Sequence, residues 1–251
     1  MIMNRDLRRA FEQRRALKII SGLQNTDPAR VLPVVQAATA GGATYVDIAA
    51  SPELVRLVRQ HTPLPICVSA VDAAALATAV AAGADLVEIG NFDSFYAQGR
   101  RFEAAEVLAL TAATRARLPE TTLSVTVPHL LSLDRQVELA LELVAAGADL
   151  IQTEGGTSSR PQSPGVLGLI EKAAPTLAAA YSIARAVDVP VLCASGLTAA
   201  TVPLAIASGA AGVGVGTAIH QLNDTVAMVA AVRSLVEALE TSPVYKQSFK
   251  A

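Results

Sequence analysis

The sequence predicts an α/β protein built as a closed (β/α)8 barrel, a single domain with an extra N-terminal helix. Two observations predict it. A block of small residues running into a short apolar strand occurs four times: AGGATYVDIA at 40–49, AAGADLVEIG at 81–90, AAGADLIQTE at 145–154 and ASGAAGVGVG at 207–216. A second kind of strand lies between the copies: LKIISG at 17–22, PICVSA at 65–70, TLSVTVP at 122–128 and PVLCAS at 190–195. Strands that alternate with helical patterns build parallel sheets. Four similar quarters suit a ring better than an open sheet, which has two unlike edges.

Taken in order, residues 4–15 read as an amphipathic helix, within a segment 1–15 that caps one end of the barrel. Residues 16–240 hold the eight strand–helix units, with helical patterns at 27–40, 52–61, 72–82 and 133–145. Each copy of the block opens at a helix end, where Gly42, Gly83, Gly147 and Gly209 suit a left-handed cap. Residues 176–187 read as a buried helix face and 241–251 as a polar tail. Two long segments, 91–102 and 155–165, fall after strands, where loops of that length serve as lids or binding elements.

Composition removes several functions. Lys and Arg number 20 against 22 Asp and Glu, a net charge of −2, so there is no basic footprint for nucleic acid. Aromatics are 4% of the chain and tryptophan is absent, which argues against stacking platforms for bases. Every apolar run meets a charge, Gly or Pro too soon to span a bilayer. The basic start leads into a strand-like run and lacks a signal peptide's apolar core. Cys67 and Cys193 sit in apolar runs with no metal-type spacing, so a reducing cytoplasmic setting is expected. The expected partner is a small molecule, with neither nucleic acid nor membrane; the small-residue helices leave a homo-oligomer open.

Strand side chains alternate, so the repeat also predicts what points inward. Asp47, Glu88, Gln152 and Gly214 each stand five residues after the block's glycine and would line the interior at one level. Two residues on, Ala49, Gly90, Glu154 and Gly216 form the next level toward the rim. The other strands offer Ser69, Thr126 and Ser195. A barrel interior is ordinarily filled with branched aliphatics, and buried carboxylates are costly unless paired, protonated or bound. Either a catalytic site or a satisfied polar network accounts for them. Aligning KIIS with ICVS, LSVT and LCAS puts Lys18 on the parity of Ile66, Leu123 and Leu192, expected to face the helices. Lys18 could alternatively snorkel from the barrel floor toward an acid.

The last two strands end in CASGLTAAT (193–201) and GVGVGTAI (212–219). In this fold the loops after strands seven and eight commonly hold a phosphate. Ser195 and Gly196 would supply one part, and Gly214, Gly216 and Thr217 the other. Close packing of strand on helix would equally explain the glycines.

The segments KIISGL, GGATYVDIAA, PICVSAV, EIGNFDSFY, SVTVPHLLSLD, IQTEGGTSS and ASGLTA resemble the hypothetical chloroplast reading frame twenty-three family of cyanobacteria and algal plastids, over residues 17–239. That resemblance implies a barrel and a cyanobacterial cytosol or plastid stroma; it brings no reaction with it. GVGVGTAI is similar to the phosphate-binding ends of thiazole synthase, the tryptophan synthase α subunit and sugar-phosphate epimerases. Flavin-dependent barrels such as nitronate monooxygenases use similar loops for the phosphate of FMN.

The chemistry expected of these residues is proton transfer. Glu154 and Glu88 are the candidate acid and base, Asp47 would tune them, and His129, after the fifth strand, would assist. Gln152, Thr157, Ser158, Ser69 and Thr126 are the candidate substrate contacts. Arg100, Arg101 and Arg160 sit in the long loops and could clamp an anion or simply be solvated. No His pair or triad and no cysteine spacing reads as a metal site, so none is assigned. Three functions follow. The first is a phosphate-binding isomerase or lyase that needs no cofactor, acting on a small phosphorylated metabolite. The second is an FMN-dependent oxidoreductase. The third is a non-catalytic metabolite sensor or scaffold.

Overall fold

A computed structural model describes residues 3–243. Its elements run α1 (Arg5–Glu12), β1 (Ala16–Ile20), α2 (Pro28–Gly41), β2 (Tyr45–Ala49), α3 (Pro52–Arg59), β3 (Ile66–Ala70), α4 (Ala73–Ala81), β4 (Leu86–Ile89), α5 (Asp93–Tyr96) and α6 (Ala104–Arg117). They continue with β5 (Thr122–Thr126), α7 (Leu133–Ala145), β6 (Leu150–Gln152), α8 (Gly165–Ile183), β7 (Val191–Ala194), α9 (Val202–Ala207), β8 (Gly212–Val215), α10 (Thr217–His220) and α11 (Thr225–Thr241). The strands pair in chain order, all parallel, and β8 returns to β1 to close the barrel. Helices begin where the sequence offers a cap: the side chains of Asn4, Asp27, Ser51, Asp72, Ser132 and Asp224 accept from first-turn N–H groups. Gly42 ends α2 with φ +88°, a conformation that a side chain would strain. Among the described residues no helix is long and apolar enough to cross a membrane. Most of the expected tail, 244–251, lies outside the described residues.

The repeat has a structural cause beyond its glycine. Two residues after that glycine stand Thr44, Asp85 and Asp149. Thr44 Oγ1 accepts from the Leu17 N–H at 2.9 Å, Asp85 Oδ2 from Ile66 at 2.7 Å and Asp149 Oδ2 from Leu123 at 2.9 Å. In each case the block's side chain clasps the start of the preceding strand. Arg59 and Arg115 bind Asp85 and Asp149 from the outside. These clasps make Leu17, Ile66 and Leu123 equivalent, and their outward side chains join the main core between barrel and helices.

That equivalence corrects the expected orientation of Lys18. It aligns with Cys67 and Ser124, one residue later than the sequence alignment placed it, and its register partners are Tyr45 and Gly214. Lys18 therefore points into the barrel, as does Leu192. Ser195 also leaves the expected inward series: Ala194 fills that position, paired with Gly214.

The barrel floor is a separate apolar cluster. Met3, Leu7 and Phe11 pack against Ala16, Tyr45, Cys67, Leu86, Leu150 and Leu192, so α1 plugs the N-terminal end. The Phe11 and Tyr45 ring centroids are 6.2 Å apart. Phe11→Ala is expected to cost about 3–5 kcal/mol in urea unfolding; a loss below about 1 kcal/mol would show that α1 does not seal the floor.

Candidate functional site

Immediately above the floor the barrel is polar and shielded from solvent. The Lys18 ammonium is 2.6 Å from Glu88 Oε2, and both side chains are shielded from solvent. Ser124 Oγ donates to the same oxygen at 3.0 Å. Gln152 Nε2 donates to Glu88 Oε1 at 2.8 Å and to Thr126 Oγ1 at 3.0 Å. Asp47 Oδ1 accepts from Ser69 Oγ at 2.5 Å, whereas its Oδ2 has no hydrogen-bond partner among the described residues. Burial alone would lower the Lys18 pKa, but the charges of Glu88 and Asp47 outweigh it and raise it. For Asp47 burial dominates over the attraction of Lys18 and pushes the carboxyl up to about 7. This layer is a polar network around one ion pair, in which Asp47 Oδ2 and Gln152 Oε1 are left without a hydrogen-bond partner among the described residues. Gly214 belongs to it: a Cβ there would lie 3.0 Å from Ala194 Cβ and 3.3 Å from Lys18 Cε. Its lack of a side chain makes room for the lysine, and it lies below the rim loops where a phosphate part was expected of it.

Over this layer opens a cavity of about 880 Å³ at the C-terminal ends of the strands, the end where barrels of this kind carry their sites. Gln152, Ile20 and Ala194 border it from the strands, and Asn91, Asp93, Glu154, Thr157, Ser195, Gly196, Gly216, Thr217 and His220 also line it. Glu88, Asp47, Ser69 and Thr126 do not; they lie beneath, fully buried. The expected acid–base role of Glu88 and the tuning role of Asp47 thus lose direct contact with the cavity. Asn91 and Ser195 both border the cavity with φ of +66° and +76°, and non-glycine residues held that way concentrate at functional sites. The loops after β6 and β7 are pressed together. A Cβ on Gly196 would meet Gly156 Cα at 2.8 Å, and Thr157 N donates to Ser195 Oγ at 2.9 Å.

Glu154 is the centre of the polar wall. Its Oε1 accepts from Tyr96 Oη at 2.6 Å, from the His129 backbone N–H at 3.2 Å and lies 3.2 Å from His129 Nδ1. Its Oε2 has only the long bond from Asp93 N–H at 3.3 Å. Burial raises the Glu154 pKa against the pull of His129 and Tyr96. Burial would lower that of His129, yet the hydrogen bond and charge of Glu154, with Asp93, raise it overall. His129 stands behind Glu154 and does not line the cavity itself. Asp93 completes the wall, accepting from Ser195 Oγ at 2.7 Å and Ser158 Oγ at 3.3 Å.

Sequence reasoning passed over Asp93 and Tyr96. Both belong to α5, a short helix inside the segment read as a loop, and only the fold brings it across to β6 and β7. Asp93, His129 and Glu154 also place a ring nitrogen and two carboxylate oxygens within 4.8 Å of one another, a grouping invisible in the linear spacing. All four carboxylate oxygens already accept from protein donors. Arg100 is engaged away from the cavity, bonded to Glu106 at 2.8 Å and lying over the Phe102 ring; Arg101 and Arg160 are exposed.

Residues 2–245 match the family model described as "Protein of unknown function (DUF561)". The chain belongs to the DUF561 family. It is 44% identical over 233 residues to the "Uncharacterized protein ycf23" of Cyanophora paradoxa, covering 90% of this chain and 93% of that one. To the protein of the same name in Pyropia yezoensis it is 38% identical over 240 residues, covering 96% and 88%. Among solved structures it is similar to (S)-3-O-geranylgeranylglyceryl phosphate synthase from Thermoplasma acidophilum, with TM-score 0.63, 14% identity and coverage of 95% and 99%. A 3-hexulose-6-phosphate synthase gives TM-score 0.61, 19% identity and coverage of 89% and 99%. At such identities the likeness is one of fold, a single-domain barrel of the TIM type.

Two titrations test this electrostatic picture. Folded Asp47 keeps its proton up to about pH 7, whereas the unfolded chain releases it near 3.8. The folded state then binds more protons between these values, so stability falls as pH rises through that window. Asp47→Asn is expected to flatten this part of the urea-derived stability curve; an unchanged slope would assign it to another group. The His129 ring should titrate by NMR above 6.5, so its pairing stabilises the fold below that pH and is lost as pH rises through the folded pKa. In Glu154→Gln the midpoint should move down; no movement would refute the pairing.

Proposed function

We propose that this protein is a phosphate-binding barrel enzyme, an isomerase or lyase that moves a proton on a small phosphorylated metabolite. One observation carries the reading: a single cavity is bordered both by the glycine-bearing loops after β7 and β8 and by a buried carboxyl with a raised pKa, Glu154. The backbone N–H groups around Gly196, Gly216 and Thr217, together with the Thr217 hydroxyl, would take the phosphate. Glu154 would serve as the one base that removes a proton from carbon and returns it to a neighbouring atom. Its Oε1 is already held by Tyr96 and His129, which leaves Oε2 as the oxygen for the substrate. A carboxyl whose pKa burial raises above its ordinary value suits that task. His129, bonded to Glu154 and shielded from the cavity, would set how readily the carboxyl holds its proton. Its likeness to algal relatives supports a cyanobacterial cytosol or plastid stroma as the setting.

Two variants test the two halves. Thr217→Asp adds a negative charge beside the proposed phosphate and should weaken binding of inorganic phosphate about tenfold or more in calorimetry, with little change in melting temperature. Glu154→Gln should bind phosphate normally while losing about 10²–10⁴-fold in turnover of whichever phosphorylated compound the wild type converts in a panel followed by NMR. Binding without conversion by the wild type would identify a sensor instead.

A further inference from the structure

At the base of the cavity is an acceptor with nothing to accept from. Gln152 lines the cavity, is 2% exposed, and its Oε1 has no hydrogen-bond partner among the described residues. Its amide nitrogen is fully engaged, with Glu88 Oε1 at 2.8 Å and Thr126 Oγ1 at 3.0 Å. Nor can the amide turn over. The Lys18 ammonium, 2.6 Å away, holds Glu88 as a carboxylate, and a carboxylate only accepts, so the side of Gln152 facing it must be the NH₂. Ile20, Ala194 and Gly216, which line the same cavity, offer no side-chain donor. A buried amide oxygen left unpaired is costly, and a donor from a bound molecule would remove that cost.

We propose that Gln152 Oε1 is a hydroxyl-reading subsite, accepting from an O–H at the end of the ligand remote from its phosphate. The site would then take hydroxylated, sugar-type phosphates and discriminate against bare alkyl phosphates. This deepens the proposed function and rests on its phosphate reading. Ser195 lies three residues beyond Leu192, the register partner of Gln152. At about 3.3 Å per residue the glycine loops stand roughly 10 Å above that level, a span suited to roughly four to six carbons. A neutral hydroxyl fits better than an ammonium, because Lys18 already places a positive charge against the same Glu88 and like charges disfavour one another.

The experiment is calorimetric titration of the wild type and Gln152→Leu with inorganic phosphate, D-arabitol 5-phosphate, n-pentyl phosphate and phosphoethanolamine. The wild type should bind the polyol phosphate about tenfold or more tightly than pentyl phosphate. Gln152→Leu should lose that preference and keep its affinity for inorganic phosphate. Equal binding of the two by the wild type, a preference that survives in Gln152→Leu, or tighter binding of phosphoethanolamine would each overturn the proposal. Free D-arabitol, followed by the NMR shift of the Gln152 side-chain amide, separates the two readings. A shift in a protein that binds no phosphate compound would sink the phosphate mouth and leave the hydroxyl subsite standing. No shift and no binding of the polyol phosphate would sink the subsite.

Discussion

A lysine and a glutamate share the centre of this barrel, cut off from water, and much of what lies around them follows from that pairing. Neither charge could be carried there alone, since the desolvation of a single ion far exceeds what packing offers in return. The neighbours are accordingly chosen to complete the pair: Ser124 and Gln152 donate to Glu88, and Gly214 leaves space for the lysine's methylene groups. Asp47 stands close enough to feel both charges, and burial, against the attraction of Lys18, raises its pKa to about 7. One cation thus lies within electrostatic reach of two carboxyls, Glu88 and Asp47.

The pair also divides the interior into storeys with different chemistry. Below it, α1 and the lower strand residues form an ordinary apolar seal. Above it, the cavity begins, and its polar wall has another kind of support. Glu154 is held by groups from the loops after β4 and β5, and Asp93 reaches across to Ser195 after β7. Three loops are therefore bound to one another through carboxylate hydrogen bonds, which are among the stronger ones available to a protein. The left-handed Asn91 and Ser195 are the backbone counterpart of this constraint, because only a firmly braced rim keeps non-glycine residues in that conformation.

Much of the architecture was legible in the chain. The fourfold block located four strands, its glycines marked helix ends, and the inward positions of Asp47, Glu88, Gln152 and Glu154 followed from simple alternation. The block's Thr44, Asp85 and Asp149 show why the pattern recurs at all: each clasps the strand before it. The other strands have no such marker within them, and there the alignment slipped. Matching Ser69 and Thr126 to Ser21 placed Lys18 one residue out, and in a strand one residue is the difference between core and helix side.

Local pattern by itself determined the ring, its closure and the polarity of its hollow, because period-two alternation and helix caps act over a few residues. Only the tertiary structure decided which acids meet a ligand. Glu88 and Glu154 look alike in the sequence, yet one is consumed by an ion pair beneath the cavity and the other borders it. Asp93, Tyr96 and His129 converge on Glu154 from loops up to 61 residues away in the chain, a meeting set by how the barrel curves its strand ends together, which no spacing along the chain encodes.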